Sequence, residues 1–266
     1  MGLLGNHIKK QKNKRFASGT ADGQKKLHTN LDFTAAEQYK LIRTNLDFTL
    51  PEDEKCPVIG VTSAMRGEGK STTAINLSYV FAEKGSKVLL IDGDLRIPSI
   101  AKKLDIESSP GLADLLRGKG AQVSEFQSAV LSNWFILPSG DIPPNPSELL
   151  GSSRMDNVLS KLKEVFDYII IDLPPVNIVS DAVSISHLIS GMIVVIREEH
   201  TEKKELERCF RQLELSNVNI LGCVMNDVRS GKESYGRYRK YKYYKYYRYK
   251  YYQSYTGSPK DKDEKS

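Results

Sequence analysis

Three stretches of this chain have side-chain types and spacings suited to phosphate chemistry. The first is Ala64-Met-Arg-Gly67-Glu68-Gly69-Lys70-Ser71-Thr72, which follows the apolar run VIGVTS (58–63) and opens a helical pattern. A glycine-rich turn between strand and helix lets backbone N–H groups point inward around phosphates, and the helix N-terminus adds positive potential. Lys70 would reach the β- and γ-phosphates and the Ser71 hydroxyl would ligate Mg2+, with Gly67, Glu68, Gly69 and Thr72 completing a nucleotide-binding set. Ala64 stands where the strict pattern has glycine. The second and third stretches, LLIDGDLR and IIIDLPP, place Asp92, Asp94 and Asp172 just past apolar runs. A single Asp at a strand end is commonly a turn or cap residue. Three of them beside a GKS loop imply a site, because strand C-termini in a parallel sheet share one edge with the phosphate loop. Asp172 suits holding Mg2+ through a water.

The elements that must position these residues are legible as alternation. Strands are expected at VIGVTS (58–63), KVLLID (87–92), WFILP (134–138), YIIID (168–172), MIVVI (192–196) and NILGCVMN (219–226), with helical patterns such as STTAINLSYVFAEKG and MDNVLSKLKEVF between them. Runs that are apolar throughout imply burial on both faces. The expected fold is therefore α/β and P-loop NTPase-like, a mostly parallel sheet between helix layers. A preceding helix is expected from Thr34, where Thr34-Ala-Ala-Glu37 reads as a capping box and Tyr39, Leu41, Ile42 and Leu46 give an apolar stripe. The expected organisation is a flexible basic arm (1–30), one catalytic domain (31–228) and a disordered tail (229–266).

The longest apolar run, Ile189–Ile196, is too short to span a bilayer, and MGLLGNHIKKQKNK has no apolar core after its charges. Asn6 stands where a myristoylation motif wants Ser or Thr. Cys56, Cys209 and Cys223 have no metal or redox spacing, so free thiols in a reducing cytoplasm are expected. The net charge of +6 is unevenly spread. Residues 1–26 hold +6 and residues 229–266 hold +8, which leaves −8 on the body between them. The partner of such basic tails is nucleic acid, an anionic membrane, or an acidic site on another copy.

Residues 235–255, YGRYRKYKYYKYYRYKYYQSY, contain eleven of the fourteen tyrosines and seven basic residues, with no acidic or aliphatic side chain. Such a segment buries too little to fold on its own. By itself it reads as a single-strand nucleic-acid binder, a spacer or a phosphate acceptor.

Together, GEGKST, the motif Asp92-x-Asp94-x-Arg96, IIIDLPP and LPSGDIPPNPSELL (137–150) resemble the bacterial tyrosine kinases of capsule and exopolysaccharide synthesis. The likeness covers about residues 30–255 and is to the Gram-positive form, whose kinase is a separate cytoplasmic chain. It implies an ATP- and Mg2+-dependent kinase with Asp92 as general base toward the tyrosine hydroxyl and Asp94 supporting the Mg2+ shell. It also implies that the tail tyrosines are the acceptors: Tyr235, Tyr238, Tyr241, Tyr243, Tyr244, Tyr246, Tyr247, Tyr249, Tyr251, Tyr252 and Tyr255. The family's Glu-x2-Arg-x2-Arg assembly motif matches Glu37, Lys40 and Arg43 with Lys for the first Arg, which implies a homo-oligomeric ring. Asn226 resembles a position that contacts adenine in related nucleotide-binding proteins, although an asparagine ending a strand is also a common turn residue. The expected partners are a membrane-spanning activator (a polysaccharide chain-length regulator) that recruits the chain to the inner face of the membrane, and a tyrosine phosphatase. Nucleic acid is not expected beside a kinase domain. The rival reading is a MinD/ParA-like positioning ATPase. Those carry Lys early in the loop, where this chain has Met65, and the reading leaves the tyrosine tail without a purpose.

Overall fold

The computed structural model describes residues 31–228, apart from 121, 122, 127 and 129. The arm (1–30) and the tail tyrosines lie outside the described residues. Six strands form one sheet: β1 (Val58–Ser63), β2 (Val88–Asp92), β3 (Trp134–Leu137), β4 (Tyr168–Asp172), β5 (Gly191–Arg197) and β6 (Ile220–Asn226). All five pairings are parallel, in the order β3-β2-β4-β1-β5-β6. The helices are α1 (Phe33–Asp47), α2 (Lys70–Glu83), α3 (Ile100–Leu104), α4 (Leu112–Leu116), α5 (Pro146–Leu150), α6 (Ser153–Lys163), α7 (Asp181–Ser184) and α8 (Lys203–Leu215), with short 3-10 turns at Val123–Phe126 and Ser186–Leu188.

Side-chain alternation sends each strand's residues into two cores, one on either face of the sheet. Val88, Leu90, Trp134, Ile136 and Ile170 pack with α1 and α2. Leu89, Ile91, Phe135, Leu137 and Ile171 pack on the other face, against α4, α6 and α8. The one tryptophan, Trp134, is fully buried and its indole N–H donates to Ser78 Oγ at 3.0 Å, so the largest side chain in the core leaves no donor unpaired. β1 and β2 are buried at every position, as runs apolar throughout require. β6 departs from that expectation. It is an edge strand in which Leu221 alone is buried, because among the described residues no strand pairs with its outer side.

The start of α1 also differs from expectation. Asp32, not Thr34, caps the helix, its carboxylate accepting the Ala35 N–H at 2.9 Å. Asp is as good an N-cap as Thr, and here it stands two residues earlier in the chain. Glu37 consequently closes no capping box and pairs with Lys40 at 2.9 Å, both on the exposed side. Arg43 turns inward, donating to the Val80 carbonyl of α2 at 2.7 Å.

Ile170 lies in β4, one of the two central strands of the sheet, and is fully buried. Ile170→Val should cost about 0.5–1.5 kcal/mol and Ile170→Ala about 2–5 kcal/mol in urea unfolding, since removed methyls leave a void that the flanking strands restrict from collapsing.

Candidate active site

The loop between β1 and α2 is built on two glycines with positive φ, Gly67 at 80° and Gly69 at 97°. Gly69 is the residue on which α2 starts, and a Cβ there would lie 1.9 Å from Asn226 Nδ2. That close approach is a bond. Asn226, ending β6, donates from Nδ2 to the Glu68 carbonyl at 3.0 Å. The asparagine singled out as an adenine contact is thus placed against the phosphate loop's own backbone.

Glu68 was expected among the nucleotide-binding residues, and its side chain points elsewhere. It is fully buried, accepting the Met65 N–H at 2.9 Å and the Thr201 hydroxyl. The carboxylate braces the loop, so any phosphate contact from this residue runs through its backbone. Arg197 adds a second brace, donating to the Gly67 carbonyl at 3.2 Å. Sequence reasoning missed Arg197 and Thr201. The polar stretch REEHTE directly after the β5 run, on the same sheet edge, was the available signal.

Lys70 opens α2 and reaches across the edge to both acidic motifs. Its Nζ lies 2.9 Å from Asp94 Oδ2 and 3.3 Å from Asp172 Oδ1, with Ser71 Oγ at 3.4 Å. Asp92 and Asp172 are direct register partners at the ends of β2 and β4. The parallel sheet therefore converges Lys70, Ser71, Asp92, Asp94 and Asp172, while Thr72 follows on the first turn of α2.

The electrostatics of this cluster are unbalanced, with three buried carboxylates around one ammonium. Burial disfavours charge on Asp92, and the adjacent Asp172 carboxylate adds to that, so its pKa is pushed up to about 7 despite N–H bonds from Ile100 and Ser99 and the nearby Lys70. Burial likewise raises Asp172. For Lys70 burial works downward, but Asp172, Asp94 and Asp92 outweigh it and hold the ammonium above its usual value. Asp92 Oδ1 and Asp172 Oδ2 are buried with no hydrogen-bond partner among the described residues. Unpaired carboxylate oxygens beside a hydroxyl, in excess over the one local cation, are the donor set a hard divalent ion such as Mg2+ takes. Asp172, with Ser71 beside it, fits that ion, whereas both Asp94 oxygens are taken, by the Ile97 N–H and by Lys70.

Cys56 and Cys209 are buried, and burial pushes each thiol up to about 12, so neither is a poised nucleophile. Among the described residues no helix is long and apolar enough to cross a membrane.

Residues 56–214 match the AAA domain family. Tyrosine-protein kinase YwqD of Bacillus subtilis is 39% identical over 187 residues, covering 70% of this chain and 79% of that protein. The chain belongs to the bacterial tyrosine-protein kinases. The kinase domain of Escherichia coli tyrosine kinase ETK superposes with a TM-score of 0.70 at 28% identity, over 83% of this chain and 88% of that one. The chimerical protein CapA2B2 superposes with a TM-score of 0.72 at 29% identity, over 85% of this chain and 99% of that one. Septum site-determining protein MinD from Pyrococcus horikoshii, solved with Mg-ADP, reaches a TM-score of 0.55 at 26% identity, over 66% of this chain and 72% of that one. The kinases share more of the chain and superpose better than the positioning ATPase. The P-loop fold common to both groups implies nucleotide binding.

The raised carboxylates have a measurable consequence in nucleotide-free protein. A folded-state pKa near 7 against an unfolded value near 3.9 means the native state holds a proton that the unfolded chain releases, so stability falls as pH rises between those values. Asp92→Asn should therefore raise stability by roughly 1–4 kcal/mol at pH 8 and by only about a third as much at pH 5. Urea unfolding at both pH values checks this, and an equal effect at the two would show that Asp92 carries no such shift.

Proposed function

We propose that this chain is an ATP- and Mg2+-dependent protein tyrosine kinase that phosphorylates the tyrosine cluster of its own C-terminal tail, one subunit acting on its neighbour's. The observation that carries the reading is Lys70, held on a phosphate loop between Asp94 and Asp172 at the end of a parallel sheet. On binding ATP, Lys70 exchanges its carboxylate partners for the β- and γ-phosphates, while backbone N–H groups of Gly67 to Thr72 cradle the chain of phosphates. Ser71, Asp94 and Asp172 would hold Mg2+, which when bound would supply positive charge toward the transferring phosphoryl group. Asp92 is the base. One of its oxygens is fixed by the Ser99 and Ile100 N–H groups at 3.1 and 3.0 Å, and the other is unengaged. Ionised, that second oxygen takes the proton from the incoming tyrosine hydroxyl as the oxygen–phosphorus bond forms and ADP leaves.

The acceptor reading rests on charge. A tail region at +8 is drawn to a site of excess carboxylate, and each phosphotyrosine adds about −1.5 to −2. Four to five modifications bring the region near neutral, after which repulsion favours release and loosens the assembly. Glu37, Lys40 and Arg43 are proposed to build the ring. The exposed Glu37–Lys40 pair would offer the contact, and Arg43, bonded to α2, would hold the helix in place. We further assign the chain to regulation of capsular or exopolysaccharide synthesis and chain length, with a membrane-spanning activator recruiting it to the inner membrane face and a phosphatase resetting the tail.

Lys70→Met should abolish tail phosphotyrosine in purified protein with ATP and Mg2+ while leaving the fold intact by circular dichroism. Persistent phosphotyrosine would falsify the site assignment. Wild type incubated with ATP should shift toward monomer in light scattering and return on phosphatase treatment, whereas Lys70→Met stays assembled. A phosphorylated protein as large as the dephosphorylated one would remove the charge switch and leave the kinase site standing.

A further inference from the structure

The strongest ion pair outside the Lys70 cluster joins three loops of the same sheet edge. Arg96 lies after β2, two residues beyond Asp94. Its Nε donates to Asp181 Oδ2 at 2.8 Å and its Nη2 to Asp181 Oδ1 at 3.0 Å, a two-pronged contact. Asp181 opens α7 after β4 and is fully buried, whereas the Arg96 side chain is 39% exposed. Ser147 of α5, on the connection after β3, donates to Asp181 Oδ1 and accepts from Arg96 Nη2 at 3.1 Å. None of the bonds made by Asp181 or Ser147 goes to Lys70 or Ser71.

The segment between β2 and α3 is tied at its other points to the reacting carboxylates. Ile97 N–H donates to Asp94 Oδ1 at 3.1 Å, while the Ser99 and Ile100 N–H groups donate to Asp92 Oδ2. Residues 93–100 therefore hang from Asp92 and Asp94 on the inside and from Asp181 on the outside. A bidentate guanidinium–carboxylate pair fixes direction as well as distance, which a lysine's point charge does not. Resting on the kinase reading above, we propose that Asp181 is a positioning residue for phosphoryl transfer: through Arg96 it fixes the loop whose N–H groups orient Asp92 and Asp94, with Ser147 locking the fork.

The test uses full-length protein carrying Arg96→Lys, Asp181→Asn, both together, or Ser147→Ala. Each of the first two should speed hydrogen exchange of the Ile97, Ser99 and Ile100 amides at least tenfold, with the amides of α2 unchanged. Each should lower kcat for phosphotyrosine formation roughly ten- to a hundredfold and leave the KM for ATP within threefold, because the phosphate loop is untouched. The double variant should be no slower than the slower single, and Ser147→Ala should show the same effects at smaller size. Unchanged exchange at the three amides overturns the proposal. So does a uniform rise along the whole chain, which marks the pair as merely structural. A raised acceptor KM in Arg96→Lys with Asp181→Asn behaving as wild type also overturns it, since Arg96 would then act on the acceptor directly. Absence of phosphotyrosine from wild type would instead strike the kinase reading, and local exchange would still decide whether Asp181 holds the loop.

Discussion

The crowding of three buried carboxylates around one lysine ammonium is the constraint from which the rest of this structure follows. Removing carboxylates from water costs several kcal/mol each, and one ammonium offsets only part of it. The fold meets that cost with local backbone N–H groups: two on Asp92, one on Asp94. What remains uncompensated is Asp92 Oδ1 and Asp172 Oδ2, and the shortfall appears as a proton affinity raised on both residues. A site in this condition gains stability from any cation it admits, whether a divalent ion or the basic side chains that flank an acceptor tyrosine.

Such a cluster needs a scaffold that resists its own repulsion. The parallel sheet supplies it, since β2 and β4 hold Asp92 and Asp172 in register by ladder hydrogen bonds and not by side-chain attraction. The phosphate loop is held independently from the other side of β1. Glu68 is tied to Thr201, Gly67 to Arg197, and the Glu68 carbonyl to Asn226. Half of the cradle thus depends on β5 and β6 and the acidic half on β2 and β4, with Lys70 spanning the two. Displacement of Lys70 toward a phosphate would uncouple the halves electrostatically, which makes nucleotide occupancy and loop order a single equilibrium.

The sheet was legible in the residues because its strands are buried on both faces, and unbroken runs such as VIGVTS and YIIID admit few other readings. Strand ends then located Asp92, Asp94 and Asp172 without any tertiary knowledge. β6 was legible as a strand but not as an edge, since its neighbours are set by topology and not by its own composition. The start of α1 was misplaced because Asp32 and Thr34 are both competent caps, and local sequence does not choose between them. The functions of Glu68, Asp181 and Arg43 were not legible for a common reason. Each is decided by a partner 37 to 133 residues away, Val80 for Arg43 and Thr201 for Glu68, and spacing along the chain records only neighbours.

The uneven charge of the chain joins these points. Under the proposed function, an acidic body with basic extensions would attract other copies of itself, most strongly where carboxylate is least compensated. With its pKa pushed up to about 7, Asp92 holds its proton more tightly than an ordinary carboxylate, which limits repulsion with Asp172 and makes it a poor base until that proton is drawn off. Under the proposed function, arrival of a divalent cation and of an arginine- and lysine-rich acceptor lowers that pKa by the same Coulomb interactions that bring them in. The proton is then shed as the substrates assemble, so the base becomes available when the acceptor hydroxyl is beside it. Under the same proposal, a phosphorylated tail, near neutral overall, would lower that pKa less. Acceptor charge, on this argument, sets the competence of the base as well as the affinity of the site.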